Sequence, residues 1–227
     1  MQDNDKNWRK ASETNGNECI GNQDLAVAAI FFLYCCIYAA LRLSVSSTME
    51  LDEAEQFLNG SSLSLGYAHQ PPLYSWFVYG MAKLFGLNIQ TIIATKYIII
   101  FFFYFSFYLI ARSFWNMRAA LLISGTLLIF PTYSYEFNRD LSHSVLVTAM
   151  ASITCYLFVR LLRRERTSDY LLLGASIGLG FLSKYNFAFF LLALMLAAVS
   201  FHEAVESFST KKQSFPLYLF SLLSLHM

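Results

Sequence analysis

The chain has 227 residues, of which 56% are hydrophobic and 14% charged, with a mean hydropathy of +0.47 and a formal net charge of +1. A soluble domain carries roughly 25% charged residues, so this chain has too few to clothe a water-facing surface. Its apolar residues fall in blocks of bilayer-spanning length, which excludes a soluble globular protein and predicts an all-α, polytopic transmembrane helix bundle with no nucleic-acid partner.

Residues 1–24 are polar and mixed in charge, and the run behind them is too long for a signal-peptide core. They read as a disordered cytoplasmic tail before an uncleaved first span, with residues 25–227 as the transmembrane domain. The apolar blocks are Leu25–Val45, Ile92–Ala111, Ala119–Thr132, Leu141–Leu162, Tyr170–Ser183 and Tyr185–Phe201, and a further one opens at Phe215. They predict six to seven spans, although the third and fifth blocks are short for a bilayer that needs about 20 residues. Within the fifth, Gly174-Ala175-Ser176-Ile177-Gly178 has the small-xxx-small spacing that lets helices approach closely.

Lys and Arg in short loops orient such a chain. With the N-terminus inside, the joints after spans two, four and six are cytoplasmic. They carry Arg112 and Arg118, then Arg160, Arg163, Arg164 and Arg166, then Lys211 and Lys212. The opposite face receives Glu50, Asp52, Glu53, Glu55, Glu136 and Asp140. The polar groups for which a membrane protein has no structural need therefore gather on the extracytoplasmic side.

The loop after the first span has structure of its own. Ser47 and Glu50 fit a capping box, Leu51, Ala54 and Leu58 form an apolar stripe, and Asp52, Glu55 and Gln56 form a polar one. That predicts a short interfacial helix, carboxylates up, ending at Gly60. Pro71-Pro72 then starts a second interfacial helix over Leu73–Phe85.

Four carboxylates within six residues beside a span are costly without a purpose. Asp52 and Glu53 are accordingly candidates for a base or for orienting an acceptor or metal ion, against a solvated acidic face. His69 and Gln70 are candidate donors to a phosphate or sugar beside a proline turn. Arg139, Asp140 and His143 stand at the mouth of the fourth span, where an edge ion pair is the bland alternative. Lys184 lies between two apolar blocks with Tyr185 and Asn186; it either snorkels to the interface or neutralises a donor phosphate.

No Gly-rich phosphate loop and no Ser-His-Asp order appears, which excludes nucleotide chemistry of the soluble kind. The cysteines, Cys19, Cys35, Cys36 and Cys155, have no metal-ligand spacing and read as buried free thiols. No cofactor is implied, save that a divalent ion on Asp52 and His143 stays an open alternative.

The order of Leu51-Asp52-Glu53-Ala54-Glu55, Gln70-Pro71-Pro72-Leu73-Tyr74, Asp140-Leu141-Ser142-His143-Ser144-Val145-Leu146 and Gly178-Leu179-Gly180-Phe181-Leu182-Ser183-Lys184-Tyr185-Asn186 resembles GT-C membrane glycosyltransferases. It is similar to glycosyltransferase family 39, which includes dolichyl-phosphate-mannose–protein mannosyltransferases and the aminoarabinose transferases of lipid A. The resemblance implies transfer of a mannose-like hexose, with inversion, from a polyprenyl-phosphate donor to a lipid or protein acceptor. The site would lie outside the cytoplasm, in a bacterial inner membrane. Asp52 would be the catalytic carboxylate, Glu53 its supporting or acceptor-orienting neighbour, and Lys184 the cation on the donor phosphate. Family members carry further spans, so the chain is expected to be the N-terminal part of a longer enzyme. The alternatives from other classes are a partner-docking membrane protein and a flippase for a lipid-linked sugar. A transporter should place its ionisable groups near the midplane, whereas here they gather at one face.

Overall fold

The computed structural model describes residues 21–46, 48–67, 70–139, 142–164 and 166–199, and the described residues are helical apart from turns and an isolated bridge between Tyr67 and Gln70. The order is α1 (Asn22–Val45), α2 (Leu51–Asn59), α3 (Leu73–Phe85), α4 (Ile89–Phe114), α5 (Met117–Thr126), α6 (Phe137–Arg139), α7 (Ser142–Arg164) and α8 (Thr167–Ser183). Phe187–Val199 forms a further apolar helix, α9. Residues up to Phe187 belong to one compact unit; Ala188 onward is separate, and there the structure describes only the remainder of α9.

Local chemistry sets the helix ends. The side chain of Asn88 accepts from Thr91 N at 2.8 Å to start α4, and that of Asn116 accepts from Ala119 N at 3.0 Å to start α5. In α1 the Asp24 carboxylate accepts from Gly21 N at 3.0 Å. That helix therefore begins at Asn22, inside the stretch expected to be a disordered tail. Ser47, the expected cap of α2, lies outside the described residues. Glu50 takes the cap position, with Glu53 reaching back to Glu50 N at 3.1 Å.

α4 is the central element. Ile92, Ile93, Ile100, Tyr104 and Tyr108 on it are at most 1% exposed, and it packs against α1, α5 and α7. α1 is peripheral: Phe31 meets Tyr104 and Tyr108, while Ile30, Phe32, Leu33 and Leu41 face outward. A helix apolar all round is one that meets lipid where it does not meet protein. By length and hydropathy α1, α4 and α7 can each cross a bilayer. The protein is an integral membrane protein.

Among the described residues three helices, or four if a bent pair is one span, are long and apolar enough to cross a bilayer. The third block is broken: Met117–Ile129 and Thr132–Arg139 meet at 80° and make at most one further span. Pro131 supplies the break, because its ring removes an N–H and crowds the preceding turn. A π-helical stretch, Thr132–Glu136, follows. Carbonyls there are met by side chains: Tyr104 donates to Tyr133 O at 3.0 Å, and Asn138 to Ser134 O at 2.7 Å. The fifth and sixth blocks form the shorter helices α8 and α9. The block opening at Phe215 lies outside the described residues.

Two smaller expectations are corrected. Gly174 and Gly178 face open space, and α8 is held on α7 by Ser176 instead, whose hydroxyl accepts from Thr154 at 3.2 Å. Cys35 is buried as expected, but Cys36 is exposed on the outer face of α1 and Cys155 is half-buried. Cys19 lies outside the described residues.

Candidate functional site

α1 and α4 run antiparallel, as do α7 and α8. The start of α1 meets the end of α4 through Asp24 and Tyr108, whose hydroxyl donates to the carboxylate at 2.6 Å. The end of α7 meets the start of α8 through Arg160 and Asp169 at 2.6 Å. The other end of the bundle therefore receives the C-terminus of α1, the helices α2 and α3, the N-terminus of α7 and the C-terminus of α8.

At that end three consecutive residues of α7 each hold a different side chain. Ser142 N donates to Asp52 Oδ2 at 2.9 Å. His143 Nε2 lies 2.8 Å from Gln56 Nε2. The Ser144 hydroxyl accepts from Lys184 Nζ at 3.0 Å. The first turn of a helix presents unpaired N–H groups, so an anion such as the Asp52 carboxylate belongs there. The Asp52 carboxylate and the Lys184 ammonium both lie within electrostatic reach of the His143 ring. Asp52, His143 and Lys184, distant in sequence, thus share one small region.

α2 delivers its two residues because it sits tightly on α3. A Cβ on Gly60, the residue that ends α2, would collide with Val78 on α3 and with Gln56 O. The close approach sets Gln56, fully buried, against Ser75, whose hydroxyl donates to Gln56 Oε1 at 2.8 Å. Leu51 and Leu58 face outward as the apolar stripe predicts. The polar stripe does not point up into solvent, however: Gln56 turns into the protein, because hydrogen-bond partners wait for it there.

Glu53 also departs from expectation. Rather than standing free beside Asp52, it is 1% exposed and pairs with Arg42 at the end of α1, 2.6 Å away. Arg42 also donates to Ser46 O at 2.9 Å and Thr48 O at 2.8 Å, so the pair clasps the α1–α2 connection. One oxygen of Glu53 thus serves the α1–α2 connection, while Oε1 is buried without a hydrogen-bond partner among the described residues.

Lys184 is placed by a glycine. Gly180 has no Cβ, and Phe187, fully buried, occupies the space that one would take. The turn between them closes with Phe187 N donating to Lys184 O at 3.0 Å. Tyr185 and Asn186 in that turn are exposed. Gln70 is half-buried and pairs through its backbone N–H with Tyr67 O at 2.9 Å. Arg139 is exposed, three residues before Ser142, with its guanidinium 3.3 Å from the Tyr135 hydroxyl. His69 and Asp140 lie outside the described residues.

Several residues around the site were not singled out from the sequence: Arg42, Ser75 and Tyr74. Arg42 had a signal, a cation on the face where the loop rule wants none. Tyr74 is fully buried, with its ring 5.4 Å from that of His143. Burial pushes the Tyr74 hydroxyl above the ordinary tyrosine range, the Ser142 hydroxyl opposes that shift, and the Glu53 and Asp52 carboxylates add to it. Tyr74 therefore stays a neutral hydroxyl.

His143 Nε2 and Asp52 Oδ2 are already engaged, and among the described residues no three His, Cys, Asp or Glu side chains gather. An apolar cavity of about 170 Å³ opens between α3, α4 and α7, lined by Phe77, Met81, Ile99, Leu146 and Met150.

Two relatives, both from Rhizobium johnstonii, are similar to this chain. The lipopolysaccharide core galacturonosyltransferase RgtB is 35% identical over 175 residues, covering 77% of this chain and 35% of that protein. The lipopolysaccharide core galacturonosyltransferase RgtA is 34% identical over 165 residues, covering 72% of this chain and 33% of that protein. The chain thus spans about a third of the length of these curated relatives. No solved structure matches it significantly. The family described as dolichyl-phosphate-mannose-protein mannosyltransferase matches residues 69–226. The chain belongs to that family of membrane glycosyltransferases.

Proposed function

We propose that this chain carries the acceptor-activating and donor-phosphate groups of an inverting glycosyltransferase. The enzyme takes a sugar from a polyprenyl-phosphate donor at the extracytoplasmic face of a bacterial inner membrane, with the N-terminus in the cytoplasm. The observation that carries this reading is the hub at the start of α7, where Ser142 and Ser144 hold Asp52 and Lys184 within two residues of each other. One carboxylate and one ammonium beside a helix start are what a phosphate-leaving substitution needs on its two sides.

Asp52 uses one oxygen on Ser142 N, and Oδ1 has no hydrogen bond among the described residues. That oxygen takes the proton of an acceptor hydroxyl as the hydroxyl oxygen attacks the anomeric carbon. The carbon–oxygen bond to phosphate breaks, the electron pair leaves on the polyprenyl phosphate, and Lys184 neutralises the departing charge. The apolar cavity between α3, α4 and α7 suits the start of the prenyl chain.

The mannose-like sugar expected from the resemblance is revised, since both relatives are named for galacturonic acid. The proposed sugar is a hexuronic acid, with Arg139 as the candidate partner for its carboxylate. The proposed acceptor is a sugar hydroxyl of a lipid-anchored glycan.

The test uses membranes carrying the protein and labelled polyprenyl-phosphate galacturonic acid, with the mannose donor in parallel. Transfer from the first, lost in Asp52→Asn, is expected. Full transfer by Asp52→Asn overturns the base assignment, and preference for mannose overturns the sugar.

A further inference from the structure

We infer that Gln56 is a positioning residue, holding His143 as the tautomer whose proton sits on Nδ1. Gln56 is fully buried and both ends of its amide are engaged. Its oxygen accepts from Ser75 Oγ and its nitrogen lies 2.8 Å from His143 Nε2. An amide nitrogen can only donate, so His143 Nε2 must offer a lone pair. A neutral imidazole has one N–H, which therefore rests on Nδ1.

That second nitrogen is where the inference gains a function. His143 is 4% exposed, and its Nδ1 has no hydrogen-bond partner among the described residues. A buried donor without an acceptor is unfavourable until something supplies an oxygen. The groups that face the ring are Asp52 from α2, Tyr74 from α3 and Lys184 from the end of α8. With Nδ1–H as donor and Asp52 Oδ1 as acceptor, a substrate hydroxyl can give its proton to one and take a hydrogen bond from the other. This last step rests on the glycosyl-transfer reading; the tautomer does not.

The test is nitrogen NMR on the full chain in lipid nanodiscs, labelled with [15N]histidine, with a His143→Gln spectrum to identify the ring. The expected result is a proton on Nδ1 in the unaltered protein. In Gln56→Glu a carboxylate that can only accept should draw the proton to Nε2, and transfer should fall about tenfold or more. A proton on Nε2 in the unaltered protein, or one that stays on Nδ1 in Gln56→Glu, overturns the proposal. Should Gln56→Glu fail to fold, the unaltered spectrum decides alone. A protein that shows the Nδ1 proton but transfers no sugar keeps the tautomer and loses the transfer reading.

Discussion

At the end of the bundle where α1 begins, carboxylates meet cations: Asp24 lies 3.6 Å from Arg112 and Asp169 lies 2.6 Å from Arg160. At the other end Asp52 is held by a backbone N–H and Lys184 by a serine hydroxyl. The Arg42–Glu53 pair at that end clasps a loop. Neutral partners orient a charge without cancelling it, whereas an ion pair consumes it. The first end ties helices together; on the proposed reading, the second keeps a carboxylate and an ammonium available to a substrate.

The largest effect that can break this contrast is on Asp52. Asp52→Asn can still accept from Ser142 N, so the melting temperature should hold while transfer falls roughly 10²–10⁴-fold. A parallel loss of stability would make Asp52 scaffold. At the opposite end, Asp169→Ala should cost about 3 kcal/mol, the lower edge for a broken buried pair because Arg160 keeps partial exposure. Denaturation in mild detergent reads that loss, and transfer per folded molecule should be unchanged. Lys184→Met should lower transfer roughly 10²-fold with little change in stability, and Lys184→Arg should recover part of it. Equal activity in the Met variant would leave the departing phosphate to another group. The smallest effect sharpens the geometry: Gly180→Ala forces a methyl into the Phe187 ring, costing about 1–3 kcal/mol. It should raise KM as Lys184 is displaced.

Much of the helical order was legible locally. α3 matches its expected bounds because Pro71-Pro72 and Gly86 punctuate it on either side. The apolar blocks mark α1, α4 and α7 because lipid demands length and hydropathy. The break at Pro131 was less legible, since its cost depends on whether Tyr104 is there to answer Tyr133 O. Lys184 and His143 stood out as polar residues that lipid does not want. Gln56 did not: a glutamine on the polar stripe of a loop helix reads as solvated until its partner, 87 residues away, is in view. Glu53 and Arg42 show the same limit, because their pairing across a turn is not visible until the chain is folded.

Ser142, His143 and Ser144 are successive, so all three attachments depend on one quantity, the phase of α7 about its own axis. One extra residue within the first turn of α7 would turn that helix start by about 100° and shift it by about 1.5 Å relative to the rest of the helix. Asp52, Gln56 and Lys184 would then lose their partners together.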